Sequence, residues 1–279
     1  MHNTQALRAA LLSLGLFVLL IGFWHLATLP KAAEDAGVSA EYAALMGSAN
    51  QSDSGLPSPG MIWETIVQQL SDPFYDAGPN DKGIGIQLAY SLGRVLLGFA
   101  LAALVAIPLG FVIGMSPVVS RALDPYVQLL RPISPLAWMP LALYIIKDSS
   151  TSAIFVIFIC SLWPMLINTV YGVASVKRDW LNVARTLEVS PLRKALQVVL
   201  PAAAPTILTG MRISMGIAWL VIVAAEMLIG GTGIGYFVWN EWNNLSLSNV
   251  IFAILMIGIV GMVLDAGFGW LGRLVAYRE

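Results

Sequence analysis

The chain has 279 residues, of which 58% are hydrophobic and 11% charged, with a net charge of −1 and a mean hydropathy of +0.78. A soluble domain would need an implausibly large interior to hide that apolar surface, whereas several nearly uncharged runs of about 20 residues are each long enough to cross a bilayer as a helix. The near-neutral charge and the lack of a basic tail offer nothing to nucleic acid, and no strand-like period-two alternation of the outer-membrane barrel kind occurs, so the chain reads as an all-α polytopic membrane protein.

Six transmembrane helices are expected, at about 11–29, 87–115, 122–146, 151–174, 204–229 and 250–272. The first, LLSLGLFVLLIGFWHLATL, has a cleaved signal sequence as its alternative, with PKAA near the cut. Its weakly basic start and long apolar run favour a span. The segment 31–86 is too polar to cross. Its first half, rich in Ala, Ser, Gly and Gln, reads as a loop with a short helix. Its second half, LPSPGMIWETIVQQL, begins a helix with Ser58 as cap and Pro59 in the first turn. Ile62, Ile66 and Leu70, flanked by Trp63 and Val67, then form an apolar face suited to lying along the outer membrane surface. The third span, ALDPYVQLLRPISPLAWMPLALYII, carries Pro132, Pro135 and Pro140 beside Arg131. Interrupted backbone at that depth is tolerated where it is packed in protein or lines a cavity.

Sidedness follows from the basic residues near span ends. Arg8, Arg121, Lys177, Arg178, Arg185, Arg193, Lys194, Arg273 and Arg278 fall on one side if both termini are cytoplasmic. The other side holds Lys31, Lys82 and Lys147, and its long segment carries Glu34, Asp35, Glu41, Asp53, Glu64, Asp72, Asp76 and Asp81.

The charged stretch LNVARTLEVSPLRKALQVVLPAAAP, from Leu181 to Pro205, therefore lies in the cytoplasm. Asp179 is placed to cap a helix from Trp180 to Val189 with Trp180, Ala184 and Leu187 on one side. Ser190 and Pro191 open a second helix whose apolar face is Leu192, Ala195, Leu196 and Val199, and Pro201 and Pro205 are expected to break it. A stiff elbow projecting from the bundle is the result.

This stretch resembles the cytoplasmic coupling loop of ABC-transporter permeases, whose pattern is EAA, three residues, G, nine residues, I, one residue, LP. Asn182-Val183-Ala184 stands in the EAA place, Glu188 at the Gly, Val198 at the Ile and Leu200-Pro201 at the LP. Every spacing fits, while Asn182, Val183 and Glu188 depart from the general residues. SLGRVLLGFALAALVAIPLG, RPISPLAWMPLALY, GMRISMGIAWLVIVAAEML and GTGIGY follow in the order of permeases similar to those for nitrate, bicarbonate, cyanate and sulfonates. The LNVAR form looks most like the nitrate branch.

The resemblance implies an all-α type I ABC importer permease fold, one transmembrane domain over 1–279, in a bacterial inner membrane. It implies a second permease copy, two ATPase subunits that bind ATP and Mg, and a periplasmic or lipid-anchored solute-binding protein. The coupling loop would be 175–203, with Asn182, Val183, Ala184, Arg185, Leu187, Glu188, Ser190, Pro191, Leu200 and Pro201 meeting the ATPase. The substrate order it implies is nitrate, with nitrite or cyanate beside it, then bicarbonate, then taurine or alkanesulfonates. No phosphate-loop motif occurs in the chain, and GGTGIGY at 230–236 lacks both the preceding strand and the Lys-Ser, so it reads as a tight loop in which glycine permits close approach. A stand-alone secondary carrier would show an inverted repeat, and a membrane enzyme a catalytic cluster; neither is evident.

Ionisable groups within spans point to a pathway, and Arg94, Arg131, Arg212 and Glu226 are the candidates. Arg212, Gly216, Trp219, Val223 and Glu226 recur at helical spacing on the fifth span, with Arg212 and Glu226 about 21 Å apart along the axis. Trp138, Met139 and Trp219 are candidates for a constriction. The alternative is that the arginines snorkel or pair with carbonyls at a subunit contact. Cys160 lies in an apolar run, and His2 and His25 are far from any cysteine or carboxylate cluster, so no metal site is expected.

Overall fold

A computed structural model describes residues 2–29, 56–78 and 81–275. The expected loop and short helix over 31–55, together with Lys31, Glu34, Asp35, Glu41, Asp53 and Arg278 of the sidedness argument, lie outside the described residues. The described residues are overwhelmingly helical, and extended backbone pairs only in an isolated bridge between Asp76 and Lys82. The chain divides into two compact units, Met1–Pro73 with Glu241–Ile254, and Phe74–Asn240 with Leu255–Glu279.

In the first unit, helix α1 (His2–Ala27) is apolar around its whole circumference, with Leu12, Leu19 and Phe23 exposed. Such a helix is stable only in a lipid-like surrounding. Helix α2 (Pro59–Ser71) starts as expected, Ser58 Oγ accepting the Met61 N–H at 3.4 Å with Pro59 in the first turn. Its apolar face is split: Ile62 is buried and Ile66 half-buried, while Trp63, Val67 and Leu70 are exposed. The reason is angular. Leu70 lies about 80° from Ile62 but about 20° from Trp63 at 100° per residue. Gln69 Nε2 donates to Asn249 Oδ1 at 3.2 Å and Asn249 Nδ2 to Glu241 Oε2 at 2.8 Å, a polar chain that holds α2 to the residues around Asn249.

The second unit is built on α3 (Ile84–Met115), α6 (Ser149–Ala174) and α9 (Leu200–Ile229). A methyl added to Gly98, Gly110 or Gly114 of α3 would fall 2.6–2.8 Å from side-chain atoms of Ile157, Thr169 and Val173 of α6. The pairing numbers rise together, so these two helices run parallel. Between α6 and α9 the sense is reversed: Gly172 faces Ala203, Asn168 faces Gly210, and the Ser214 hydroxyl donates to the Ser161 carbonyl at 2.8 Å. Small residues let these backbones approach closely, as membrane helices favour.

Because α3 and α6 are parallel, the chain between them must return across the bundle. It does so as a broken crossing rather than as the single helix expected over 122–146. Helix α4 (Pro117–Leu130) is bent by 84° from a segment made of a 3₁₀ turn, Pro135–Trp138, and helix α5 (Met139–Ile146). Pro132 and Pro135 supply no N–H, and Ser134, which precedes Pro135, is driven to ψ 129. Among the described residues five helices can cross a membrane by length and composition, and six crossings result when the bent pair is one.

After α6 come α7 (Arg178–Thr186), α8 (Pro191–Lys194), a π-helical turn over Ala195–Val199, and α9. Helix α10 (Ile234–Asn243) follows the glycine loop, and α11 (Leu247–Val275) is the last long helix described.

Candidate functional site

The elbow is anchored by a buried apolar cluster of Val173, Val176, Val199, Ala203 and Ile207, against which Leu181 packs. Helix α7 begins at Arg178, two residues earlier than a cap at Asp179 requires, and Lys177 occupies the cap position without a side-chain capping bond. Lys177 instead places its ammonium 5.5 Å from the Trp180 ring centre. The helix stops at Thr186 rather than Val189 because Glu188 adopts φ +52. The Glu188 N–H donates to the Arg185 carbonyl at 3.0 Å and the Val189 N–H to the Ala184 carbonyl at 3.1 Å, the paired bonds of a Schellman stop. Glu188 is the residue aligned with the glycine of the coupling-loop pattern, and the left-handed backbone explains why a glycine suits that place.

Of the face expected from Trp180, Ala184 and Leu187, Ala184 alone is buried. Trp180, Val183, Leu187 and Leu192 project outward, leaving an apolar tip. Asn182, Arg185 and Pro191 are also exposed, and Ser190 holds the cap position of α8 without a side-chain bond. Pro201 and Pro205 do not break the chain. The π turn, closed by the Leu200 N–H on the Ala195 carbonyl, widens the helix ahead of Pro201 and relieves the clash its ring would make with the preceding turn. Helix therefore continues unbroken from Pro191 to Ile229, with Leu200 and Pro201 inside it.

At the far end of the bundle, about 40 Å along α9 from the elbow, lies a buried polar network. Glu226 is wholly buried and Arg94 is 11% exposed. Arg94 Nη1 donates to Glu226 Oε1 and to the Thr232 carbonyl, each at 2.7 Å, and its Nε donates to Ser150 Oγ at 3.1 Å. Ser91 Oγ donates to the Glu226 carboxylate at 2.8 Å and accepts the Ile234 N–H at 2.9 Å. The Gly235 N–H donates to Glu226 Oε2 at 3.0 Å, and the Gly233 N–H to Gln87 Oε1 at 2.6 Å. A side chain on Gly233 would overlap the Glu226 carboxylate, and one on Gly235 the Val223 carbonyl. The GGTGIGY loop is thus fastened over a buried ion pair held by several further hydrogen bonds, the condition under which such a pair persists in an apolar interior.

The stripe expected on the fifth span divides into separate roles. Arg212 Nε and Nη2 donate to Asp265 of α11 at 2.6 and 2.5 Å. Trp219 is buried and its Nε1 donates to the Ile257 carbonyl at 2.9 Å, against Gly261. Those contacts form an antiparallel α9–α11 seam, so Arg212 and Trp219 belong to helix packing, whereas Gly216 lies on open surface and Glu226 in the interior network. Asp265 escaped the sequence reading, although it is an isolated carboxylate in an apolar helix. Gln87 and Ser91 escaped it too, although with Arg94 they recur at helical spacing.

Arg131 stands just after α4, at the bend, and lines a cavity of about 370 Å³ together with Trp163, Asn168, Cys160, Ile213 and Ile217. Trp138 is half-buried at the end of the 3₁₀ turn, and Met139, 1% exposed, is core rather than part of a constriction. Among the described residues no group of His, Cys, Asp and Glu is arranged to hold a metal.

A helical bundle with a broken third crossing and a stiff elbow at one end is the architecture of an importer permease. A solved structure of the MetNI methionine ABC transporter, in an inward facing conformation, shares it with a TM-score of 0.61 at 13% identity, covering 68% of this chain and 95% of that one. Residues 106–278 match the model for binding-protein-dependent transport system inner membrane components, and the chain belongs to that family of non-catalytic, inner-membrane ABC permeases. It is 48% identical over 226 residues to the nitrate import permease protein NrtB of Synechocystis sp., covering 81% of this chain and 82% of the relative. It is 44% identical over 224 residues to the bicarbonate transport system permease protein CmpB of the same organism, covering 79% and 80%.

Proposed function

We propose that this permease carries a small inorganic anion inward, nitrate first, with nitrite or cyanate beside it, then bicarbonate, then sulfonates such as taurine. The observation that carries the proposal is the 48% identity to a nitrate import permease over 81% of the chain. A permease of this family works with ATPase and solute-binding subunits. The finer assembly is part of the proposal: two identical permease copies, two ATPases holding ATP and Mg, and a periplasmic or lipid-anchored receptor. Both termini and the 175–203 elbow face the cytoplasm.

Closure of the ATPase pair on ATP would press on the apolar tip formed by Trp180, Val183, Leu187 and Leu192, with Asn182, Arg185 and Glu188 at its rim. The anchored cluster beneath the tip would pass that motion to α6 and α9. The anion path follows the side of α6 and α9 that borders the cavity beside Arg131, with Gly216 on α9. Arg94, Glu226, Trp138, Met139, Arg212 and Trp219 hold the surrounding helices in place.

The test is reconstitution of permease, ATPase and receptor in proteoliposomes with nitrate outside and ATP inside. ATP-dependent nitrate accumulation is the expected outcome, with none from the permease alone. Accumulation by the permease alone would overturn the importer reading, and preference for bicarbonate in the full assembly would overturn the substrate order.

A further inference from the structure

The helices of the second unit carry Arg94, Arg131 and Arg212 close to or within the bundle, and their surroundings differ. Arg94 is held by Glu226 and Arg212 by Asp265, so each has its charge matched by a carboxylate. Among the described residues the exposed Arg131 side chain has neither a carboxylate nor a hydrogen-bonding partner, while its backbone N–H donates to the Val127 carbonyl. It lines the cavity of about 370 Å³ with no acidic residue on the walls. The walls include Trp163 and Asn168, near the middle of α6, and Ile213 and Ile217, near the middle of α9. The cavity therefore sits at about half the depth of the spans.

The side chains on the wall offer more donors than acceptors. Trp163 contributes an indole N–H with no acceptor among the described residues, and an indole can only donate. Asn168 uses its amide nitrogen on the Pro164 carbonyl at 2.8 Å, which leaves the second amide hydrogen free. The Cys160 thiol donates to the Ile157 carbonyl, and the remaining lining named here is aliphatic. A guanidinium offers up to five N–H donors in a planar fork and keeps its charge at every physiological pH.

We propose that this mid-depth cavity is a small-oxyanion site of the permease itself, with Arg131 as the charge-selective group and Trp163 and Asn168 as neutral donors. The choice of anion rests on the nitrate reading above; the site rests on the unpaired arginine and the donor-lined wall. Nitrate presents three acceptor oxygens and no donor, which suits such a wall. Bicarbonate must also donate its hydroxyl, and the Asn168 carbonyl oxygen is the side-chain amide acceptor available on the wall. With one such side-chain amide acceptor against several donors, the wall suits nitrate better than bicarbonate.

The experiment uses the complete importer in proteoliposomes, with nitrate and bicarbonate as probes, and compares wild type with Arg131→Gln, Arg131→Lys and Ile217→Trp. At subsaturating nitrate, Arg131→Gln is expected to lower uptake at least tenfold. Arg131→Lys keeps the charge and is expected to recover part of the loss. Ile217→Trp fills the cavity from α9 and is expected to stop uptake of either anion; it also decides the matter if Arg131→Gln does not assemble. Wild-type uptake in Arg131→Gln, or in Ile217→Trp where Arg131→Gln does not assemble, overturns the site and leaves the nitrate reading standing. Arg131-dependent uptake of bicarbonate in place of nitrate overturns the substrate and leaves the site standing.

Discussion

Replacing Glu188 with glycine should tighten the elbow, although the substitution removes a side chain. Glu188 holds φ +52, is exposed, and makes no side-chain bond among the described residues. An L-residue in left-handed backbone costs about 1–2 kcal/mol, and glycine escapes that cost. Glycine in turn loses about 0.5–1 kcal/mol more conformational entropy on ordering. The difference favours the glycine variant by about 0.5–1 kcal/mol, or roughly a two- to fivefold lower opening constant for the elbow. The reporter is the Val189 amide, whose N–H is held by the Ala184 carbonyl at 3.1 Å and exchanges with solvent only when the Schellman stop opens. Hydrogen exchange on the purified permease in nanodiscs, read by mass spectrometry over the 178–194 peptides, should slow by that factor. Glu188→Val should speed it, because a β-branched side chain fits left-handed backbone worst. Unchanged or faster exchange in the glycine variant would refute the strain argument and the explanation it gives for the glycine of the coupling-loop pattern.

Three further outcomes follow from the network and the loop ahead of α3. Arg94→Met should destabilise the permease by about 3–5 kcal/mol by leaving Glu226 buried without its counter-charge, and Arg94→Met with Glu226→Met should recover much of that loss; thermal unfolding of the singles and the double decides it. Gly235→Ala should cost about 1–3 kcal/mol or more through overlap with the Val223 carbonyl, read in the same melts. The Lys82 ammonium, 2.7 Å from Asp76, holds that carboxyl below the usual carboxylate range. A lowered pKa means the contact is fully present above about pH 4 and is lost as pH falls through the depressed value. The protection factor of amides around the Asp76–Lys82 bridge, the exchange rate corrected for its intrinsic pH dependence, should therefore be flat above that pH and fall below it.

The crossings were legible because apolar runs of span length have few alternatives, and the elbow because caps, prolines and charge interrupt them. What pairs across helices was not legible. Helical spacing placed Arg212, Trp219 and Glu226 on one stripe, yet their partners lie on α11 and α3, and only the packing of glycines against Ile157, Thr169 and Asn168 sets those registers. The prolines were legible as interruptions but not in their effect. Pro201 was expected to end a helix but is accommodated by a widened turn, a backbone adjustment with no residue signature of its own. Pro132 and Pro135 were expected to interrupt the backbone within one span, and the interruption is a bend of 84°. The coupling-loop pattern marked Glu188 as a departure, and the backbone angle supplies the reason the position is special.

The uninterrupted helix from Pro191 to Ile229 makes the tip of the elbow and the wall of the mid-depth cavity parts of one lever. Leu192 and Ile213 are separated by about 32 Å along its axis. A tilt of ten degrees about the buried pivot near Val199 would swing the Ile213 end by roughly 4 Å, more than a water diameter, with no hinge between to absorb the motion. The wide turn just ahead of Pro201 leaves the rod in one piece, so what the tip feels the cavity must register.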